Sequence, residues 1–290
     1  MHEIFHIPAQ PLIVFTDLDG TLLDHDSYDF TPALPALNRL KSLLVPVVPV
    51  TSKTLAELQV LTGQLRLQGP VVAENGGVIA IPDGYFEAEP PAHANEQGYL
   101  VELLSPAYER IVDDLARLRQ MHGFRFEGFS DLSADAVTAL TGLGREDAQR
   151  ARQRMCSEPL VWHDSEAAFS RFQSALTELG YNLVRGGRFH HVLGQTDKAR
   201  AIKTLLERYA RAGLHDVTTI GLGDSPNDLQ MLAAVSVPVA IRRKDGGWLE
   251  HDIPNTIINT HATGPEGWNE AIQQYLDRHE AGGTERTQHG

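Results

Sequence analysis

Short apolar runs that stop abruptly at polar residues are the feature that most limits how this chain can fold. Residues 11–16 form such a run and end at Asp17, and two further runs end at Thr51 and at Glu74. The stretches between these runs carry apolar side chains at helical spacing. Strands that alternate with helices in this way predict a parallel sheet covered by helices.

The alternation of predicted strands and helices changes in the middle of the chain. Residues 85–191 mix helical stretches with hairpin-like strands, which predicts an α+β insert rather than a continuation of the parallel sheet. The fold class is therefore α/β, a Rossmann-like core with a parallel sheet plus a smaller α+β cap domain. We expect the core at residues 1–84 and 192–280, the cap at 85–191, and a disordered tail at 281–290.

Charge limits the partners that the protein can bind. The 290 residues include 38 acidic and 25 basic side chains, a formal net charge of −13. Such a surface repels nucleic acid and anionic lipid, so we expect neither nucleic acid nor membrane as a partner. It also repels a phosphorylated substrate, so any phosphate site must be locally positive or neutralised by a metal ion.

The cysteine content and the first residues of the chain indicate the cellular compartment. Cys156 is the single cysteine, which excludes an intrachain disulfide, suits a reducing compartment and is interpreted as a buried or incidental thiol. The first residues lack the basic start and apolar run of a signal peptide, and no apolar stretch approaches the ~18 residues that cross a bilayer. We expect a cytoplasmic protein of undetermined oligomeric state.

Four polar clusters lie just beyond a predicted strand or at a helix start. Ligands bind at this edge of open α/β sheets. The clusters are residues 17–21, residues 51–53, Lys198 and residues 223–228. The carboxylates that they bring together are unfavourable in one crevice unless a cation lies among them, and Mg²⁺ is the natural occupant because it prefers oxygen ligands. The carboxylates are those of Asp17, Asp19, Asp224 and Asp228.

These groups together suit phosphoryl transfer, which needs in-line positioning and neutralisation of spread negative charge. Lys53 or Lys198, with a hydroxyl from Thr51 or Ser52, could hold the phosphoryl oxygens that a metal ion leaves free. Asp17 is the better nucleophile candidate, because carboxylates form aspartyl-phosphate intermediates. Asp19 could protonate the leaving oxygen and then deprotonate the attacking water.

The order and spacing of these motifs resemble the haloacid dehalogenase superfamily, in particular its phosphatases with a large cap inserted between the second and third motifs. The resemblance implies that Asp17 is the nucleophile and Asp19 the acid/base. It also implies Mg²⁺ on Asp17, the Asp19 backbone carbonyl and Asp224. Thr51 and Lys198 would bind the phosphoryl group, and Asp228 would position Lys198 or a metal-bound water.

Shorter stretches resemble the mannosyl-3-phosphoglycerate phosphatases within that superfamily. They are residues 51–54, 73–76, 141–143, 157–159, 187–189 and 264–268. This narrower resemblance implies hydrolysis of 2-O-mannosyl-3-phosphoglycerate, a small phosphosugar, to mannosylglycerate and phosphate.

A glycerate carboxylate and a hexose need further partners. Lys53 and Arg188 are candidates for the carboxylate, and Glu74, Asn75 and His190 for the sugar hydroxyls. Two alternatives remain open: residues 74–76 form a plain hairpin turn, and residues 188–191 form a polar strand that binds nothing. The arginines between 145 and 154 are interpreted as a solvated helix face.

Other functions are compatible with the same residues. They are a phosphatase for glucosyl-3-phosphoglycerate, sucrose phosphate or a broad range of phosphosugars, a phosphomutase, and a non-catalytic binding protein on the same scaffold. Fold alone does not separate them, because specificity depends on cap residues.

Overall fold

The computed structural model describes residues 11–86, 98–253 and 256–286, with side chains as far as residue 279. The strands are β1 (Leu12–Thr16), β2 (Val47–Pro49), β3 (Val71–Ala73), β4 (Val78–Pro82), β5 (Tyr99–Leu103), β6 (Phe126–Gly128), β7 (Ser157–Trp162), β8 (Tyr181–Arg185), β9 (His190–Gly194), β10 (Thr218–Gly223), β11 (Val237–Arg242) and β12 (Ile258–Thr263). The α-helices are α1 (Leu34–Ser42), α2 (Leu55–Leu65), α3 (Tyr108–His122), α4 (Ala134–Thr141), α5 (Arg145–Ala151), α6 (Glu166–Glu178), α7 (Lys198–Arg211), α8 (Leu229–Ala234) and α9 (Gly264–Arg286).

Two compact units make up the described chain. The central unit is Pro49–Ala212, and the flanking unit joins the described residues before Pro49 to those from Gly213 onward. The core and cap boundaries expected from the sequence, near 84 and 191, both fall inside the central unit and stay a prediction. The first ten residues and residues 287–290, which the sequence analysis considered, lie outside the described ranges.

The flanking unit is built on a five-stranded sheet with the order β12-β11-β10-β1-β2. The pairs β1–β10, β10–β11 and β11–β12 are all parallel. Every residue of β1 is buried, as expected for a strand covered on both faces. The predicted α/β class with a parallel sheet is therefore confirmed.

The C-terminal elements of this unit are absent from our sequence-based assignment. β12 carries a polar, poorly alternating sequence, Ile-Asn-Thr-His-Ala-Thr, and α9 begins with Gly264-Pro265. α9 extends to Arg286. The disordered tail expected from 281, like the other domain boundaries, stays a prediction.

The central unit contains two antiparallel sheets. In the order β3-β4-β5, Ala73 pairs with Val78, so residues 74–76 connect two antiparallel strands. The second sheet has the order β6-β7-β9-β8, and an apolar cluster that includes Leu160, Phe172 and Val192 packs α3 and α6 against one of its faces. The predicted mixture of helices and hairpin-like strands is confirmed. β5 and β6 are further strands that our sequence-based assignment did not include.

None of the helices in the described ranges combines the length and apolar character that a membrane crossing requires. The described part of the chain therefore offers no transmembrane helix.

Candidate active site

Three carboxylates meet at one end of the sheet of the flanking unit. β1 and β10 pair in register, with Thr16 opposite Leu222, so that Asp17 and Asp224 both follow the carboxyl ends of neighbouring strands. The Asp17 amide donates a hydrogen bond to the Leu222 carbonyl at 2.9 Å. One carboxylate oxygen from each of Asp17, Asp224 and Asp228 lies within 4.8 Å of the other two.

The loop after β1 closes against Asp224. Gly20 has a φ of +80°, and a Cβ at this position would lie 2.6 Å from Asp224 Oδ2. Only glycine combines this conformation with so close an approach. Thr21 Oγ1 donates to the other carboxylate oxygen, Oδ1, at 3.2 Å. The sequence Asp-Gly-Thr after the strand therefore fixes the Asp224 side chain as well as turning the chain.

Asp228 organises the turn that follows β10. One of its oxygens, Oδ2, accepts hydrogen bonds from the backbone amides of Asp224 and Ser225, at 3.1 and 3.0 Å. The Ser225 hydroxyl donates to the same oxygen at 3.1 Å. A Cβ on Gly223 would lie 2.5 Å from the Asp228 Cβ, so a glycine is required where the strand passes this side chain. Asp228 thus holds the loop that carries Asp224.

α9 supports the end of β1. The fully buried Trp268 donates from its indole N–H to Thr16 Oγ1 at 3.0 Å. That hydroxyl in turn donates to the carbonyl of Asp17 at 2.7 Å. The stretch 264–268 therefore has a structural role beside the candidate nucleophile, which sequence reasoning did not assign to it.

The carboxylate group suits a hard divalent cation. Asp17 is 5 % exposed and Asp228 is fully buried, so water screens their mutual repulsion poorly. Carboxylate oxygens grouped in this way are the donors that Mg²⁺ prefers. The residues therefore fit a divalent metal ion, and the choice of Mg²⁺ stays a prediction. Asp19 was expected to ligate through its backbone carbonyl, and its carboxylate is not part of this group.

A cavity of about 190 Å³ opens beside Asp224. It is lined in part by a basic loop that our sequence-based prediction did not include. Lys244 Nζ in this loop lies 2.8 Å from Asp24 and 2.7 Å from Asp26, and its hydrogen bonds lower the pKa of Asp24. The sequence signal that could have identified this loop is the run of three basic residues, 242–244, at the end of β11. The residues that line the cavity are Gly20, Asp24, His25, Asp224, Arg242, Arg243, Lys244, Asp245 and Gly264.

In the central unit, the loop 51–53 is tied to the turn after β3. The Thr51 carbonyl accepts from the Asn75 amide, and the Lys53 carbonyl accepts from the Glu74 amide, both at 2.9 Å. Thr51 and Lys53 are buried, and Lys53 Nζ lies 3.8 Å from Glu57 Oε1. The loop predicted to bind phosphate is therefore held by main-chain hydrogen bonds rather than exposed as a mobile segment.

The turn at residues 74–76 is more constrained than a plain hairpin. Glu74 and Asn75 are both buried and both have positive φ values, +52° and +56°. Left-handed backbone in consecutive non-glycine residues is uncommon, and it persists only where the surroundings enforce it. Strain of this kind concentrates at functional sites, which favours a role for this turn beyond reversal of the chain.

Gly76 links the same turn to Lys198. A Cβ on Gly76 would lie 2.1 Å from the carbonyl oxygen of Asp197, and Gly76 has a φ of +93°. The Gly76 carbonyl accepts from Thr196 Oγ1 at 3.1 Å. Asp197 caps α7 by accepting from the Arg200 amide at 2.8 Å. Lys198, the first residue of α7, is buried. The close packing of the turn against Asp197 therefore fixes the position of Lys198 at the start of this helix.

Arg154 and Glu74 form a buried cluster that sequence reasoning missed. The Glu74 carboxylate accepts from the Met155 amide at 2.7 Å and from Ser157 Oγ at 2.7 Å. Arg154 donates to the carbonyl of Ser52 at 2.9 Å. The interpretation of the arginines between 145 and 154 as a solvated helix face is wrong for Arg154, because α5 ends at Ala151 and the chain then turns inward.

Cys156 is a buried free thiol, as expected. Burial is the main reason that its pKa lies well above the ordinary value, and the neighbouring Glu74 carboxylate adds to the effect. A raised pKa leaves little thiolate, so this cysteine is not a nucleophile at neutral pH.

The two cap candidates from the sequence lie in different surroundings. Arg188 is exposed and donates to the Thr141 carbonyl at 2.7 Å. His190 is partly buried, with its ring centroid 4.7 Å from that of Phe169, and burial lowers its pKa. Substrate binding by either residue, and by Glu74, Asn75, Ser52 and Lys53, stays a prediction.

Comparison with known proteins places this geometry in a family. A sequence profile of the haloacid dehalogenase-like hydrolases matches residues 14–112 and 164–247. The chain therefore belongs to the haloacid dehalogenase superfamily of hydrolases, as its motifs predicted. A curated relative from Methanococcoides burtonii, a glucosyl-3-phosphoglycerate/mannosyl-3-phosphoglycerate phosphatase, is 39 % identical over 266 residues, which cover 92 % of this chain and 97 % of the relative. The family and this relative define the protein as a phosphoric monoester hydrolase.

Solved structures of the superfamily share the fold. A phosphatase from Bacteroides thetaiotaomicron has a TM-score of 0.64 at 16 % identity, covering 92 % of this chain and 95 % of that one. A subclass IIB sugar phosphatase has a TM-score of 0.61 at 15 % identity, covering 91 % and 98 %. At this level of identity the comparison supports the architecture and not the substrate.

Proposed function

We propose that this protein is a magnesium-dependent phosphatase that hydrolyses a hexosyl-3-phosphoglycerate through an aspartyl-phosphate on Asp17. The observation that carries the proposal is the group of Asp17, Asp224 and Asp228 at the carboxyl ends of β1 and β10, in which Asp17 and Asp228 are buried and Asp224 is half-buried. The substrate class comes from the likeness to the Methanococcoides burtonii phosphatase, which spans nearly the whole of both chains.

Asp17 is the nucleophile in this proposal. Its carboxylate attacks phosphorus, the bond between phosphorus and the ester oxygen breaks, and Asp19 gives its proton to the departing alcohol. Asp19 then takes a proton from a water molecule that attacks the phosphoryl-aspartate. This second step releases inorganic phosphate and restores both carboxyl groups.

Asp17, Asp224 and Asp228 would hold the Mg²⁺ ion. When bound, the ion supplies neutralisation of the negative charge that spreads over the phosphoryl oxygens. Asp228 contributes mainly by holding the turn of Asp224, because its Oδ2 accepts three hydrogen bonds from Asp224 and Ser225.

The phosphoryl oxygens would bind Thr51 and Lys198, with Ser52 and Lys53 close along the chain. A buried lysine at the N-terminus of α7 suits this role, because the helix end adds its own positive dipole. The strained turn of Glu74 and Asn75 supports the proposal, since it holds both the loop 51–53 and the start of α7.

Mannosyl-3-phosphoglycerate is the preferred substrate, and glucosyl-3-phosphoglycerate is the second candidate because the relative is named for both. The test is phosphate release by the purified protein from both compounds, sucrose 6-phosphate, hexose phosphates and p-nitrophenyl phosphate, with Mg²⁺ and after chelation. We expect kcat/KM to be highest for a hexosyl-3-phosphoglycerate. Preference for simple hexose phosphates would refute the substrate, isomer formation without phosphate release would indicate a mutase, and inactivity on every compound would refute the phosphatase.

A further inference from the structure

The main chain of Asp17 is held by hydrogen bonds on both sides of its Cα atom. The Asp17 amide donates to the Leu222 carbonyl in the neighbouring strand at 2.9 Å. The Asp17 carbonyl accepts from the Thr16 hydroxyl at 2.7 Å. Because peptide groups are planar, fixing both of them restricts the two rotatable main-chain bonds of Asp17 and sets the direction of its Cα–Cβ bond. The carboxylate that joins the metal-binding group therefore starts from a fixed point.

The Thr16 hydroxyl has a defined direction because Trp268 donates to it. The indole N–H of Trp268 lies 3.0 Å from Thr16 Oγ1. An indole N–H can only donate a hydrogen bond, whereas a hydroxyl can donate or accept one. Thr16 Oγ1 therefore accepts from Trp268, and its own proton is left for the Asp17 carbonyl. Both side chains are fully buried, so bulk water does not compete for these two hydrogen bonds.

The start of α9 is packed so that Trp268 reaches this position. A Cβ on Gly267 would lie 2.4 Å from the carbonyl oxygen of Ala262, so a glycine is required where the helix approaches the end of β12. The Glu270 carboxylate accepts from the amides of Ala262 and His261, at 2.9 and 3.1 Å. These contacts hold the first turns of α9 against β12 and thereby place the indole beside the end of β1.

We propose that Trp268 and Thr16 are positioning residues that direct the Asp17 carboxylate through a hydrogen-bond relay from the indole N–H to the Thr16 hydroxyl and on to the Asp17 carbonyl. Neither side chain contacts the substrate in this proposal. The inference rests on the proposed function, since it takes Asp17 as the nucleophile. In-line attack is sensitive to position, and a misplacement of about 1 Å can cost about a hundredfold in rate. A displaced Asp17 should also weaken the binding of Mg²⁺, because its carboxylate belongs to the metal-binding group.

The experiment compares Thr16→Val, which removes the hydroxyl with little change in shape, with Thr16→Ser, which keeps it. Thr219→Val is the matched control. Thr219 is also a buried strand residue, and its hydroxyl accepts from the Ser236 amide at 2.9 Å, but it lies near the start of β10, away from the carboxylates. For each protein, kcat and KM are measured at saturating Mg²⁺ with its best phosphosugar. Calorimetric Mg²⁺ titration and thermal unfolding complete the comparison.

We expect Thr16→Val to lower kcat about tenfold or more with KM changed less than about threefold, since the chemical step depends most on the nucleophile's position. Its Mg²⁺ affinity should also fall. Thr16→Ser should retain most of kcat. Thr16→Val and Thr219→Val should lower the unfolding temperature alike, because each leaves a buried polar group without its partner, yet Thr219→Val should keep kcat and Mg²⁺ affinity. An unchanged kcat in folded Thr16→Val, or an equal loss in Thr219→Val, would overturn the proposal.

Trp268→Phe tests the order of the relay. The variant keeps an aromatic ring but removes the N–H, so the Thr16 hydroxyl can still donate to Asp17 but loses its fixed direction. Its kcat should fall less than that of Thr16→Val. The double variant should have the kcat of Thr16→Val alone, because Trp268 acts through Thr16. Independent losses that multiply would overturn the relay. If Thr16→Val fails to fold, an unchanged kcat and Mg²⁺ affinity in Trp268→Phe would overturn it instead.

The Mg²⁺ titration separates this inference from the proposed function. If the wild type releases phosphate from no compound, or if Asp17→Asn keeps its activity, the proposed function fails. The affinity for Mg²⁺ still depends on where the Asp17 carboxylate lies, so a weaker affinity in Thr16→Val than in Thr219→Val would support the relay. Equal affinities in these two variants would overturn the relay, and a wild type that binds no Mg²⁺ would overturn both proposals.

Discussion

Arg154 Nε lies 3.6 Å from Glu74 Oε2, and the two side chains are 3 % and 0 % exposed. The pair joins the turn after β3 to the start of β7, and Arg154 also donates to the Ser52 carbonyl in the loop predicted to bind phosphate. A buried ion pair of this kind is weak evidence for added stability, but removal of one partner leaves a charge without compensation.

We expect Glu74→Gln or Arg154→Met to destabilise the protein by about 3–5 kcal/mol, because each leaves one buried charge behind. The double variant should lose less than the sum of the single losses. Urea unfolding of all four proteins measures the coupling. The exposed pair Arg145–Asp135 is the control, and Arg145→Met should cost less than about 1 kcal/mol. Additive losses in the double variant would show that the two residues do not interact.

Asp17→Asn should abolish turnover and leave the fold intact, because the amide keeps the shape of the carboxylate but is not a nucleophile. Steady-state phosphate release and circular dichroism measure the two effects. Beryllium fluoride or aluminium fluoride should inhibit the wild type by mimicking phosphorylated Asp17. Asp113→Asn, an exposed helix position, is the matched control and should retain activity. Substantial activity in Asp17→Asn would rule out the aspartyl-phosphate.

Asp224→Ala and Asp228→Ala should separate metal binding from loop structure. Asp224→Ala should weaken Mg²⁺ binding with little change in stability. Asp228→Ala removes an acceptor of three hydrogen bonds, so it should also destabilise the protein by about 1–3 kcal/mol. Calorimetric Mg²⁺ titration and thermal unfolding provide the two readouts. Ca²⁺ should inhibit, because its larger and looser coordination shell misplaces the nucleophile. Full activity after exhaustive chelation would contradict a metal requirement.

Gly76→Ala should reduce kcat/KM at least tenfold, because its Cβ would displace the carbonyl of Asp197 and with it the start of α7 at Lys198. Two controls isolate the cause. Gly123 has a positive φ but open space around a Cβ, so Gly123→Ala should cost about 1–2 kcal/mol of stability without loss of activity. Gly63 lies inside α2 in open space, and Gly63→Ala should stabilise by about 0.5–1 kcal/mol. Loss of activity in Gly123→Ala to the same degree would point to backbone strain alone.

His191 should make the stability depend on pH below neutrality. Its pKa in the folded protein is about 3, lowered by burial and by the charges of Arg154, His190 and Lys198, against about 6.5 in the unfolded chain. Between these values the unfolded chain binds more protons, so the contribution of His191 is fully present above pH 6.5 and is lost as the pH falls towards 3.

As the pH falls from 6.5 towards 3, the unfolding free energy of the wild type should therefore decrease by a few kcal/mol relative to that of His191→Asn. Urea unfolding at pH 7.0, 6.0 and 5.0 measures it. A difference that stays constant with pH would show that His191 titrates normally in the folded state.

Local sequence determined the strands that carry the acids and the order of the motifs. An apolar run followed by Asp17-Leu-Asp19-Gly20 predicts a buried strand that ends at a carboxylate, because burial and turn chemistry are encoded within a few residues. The same reasoning placed Asp224 and Asp228 after β10. Parallel pairing then brings the ends of β1 and β10 together, so the carboxylate group followed from the sequence.

Tertiary structure alone decided the partners of residues that are distant in the chain. The charged stretch around Arg154 predicts a surface residue. In the structure, Arg154 is buried against Glu74, which lies 80 positions earlier in the chain. Neighbouring His190 and His191 are alike in the sequence, and the pleat of β9 assigns one to the helix-covered face and the other to the opposite face. Burial and cross-strand packing depend on which elements meet, and no local pattern carries that information.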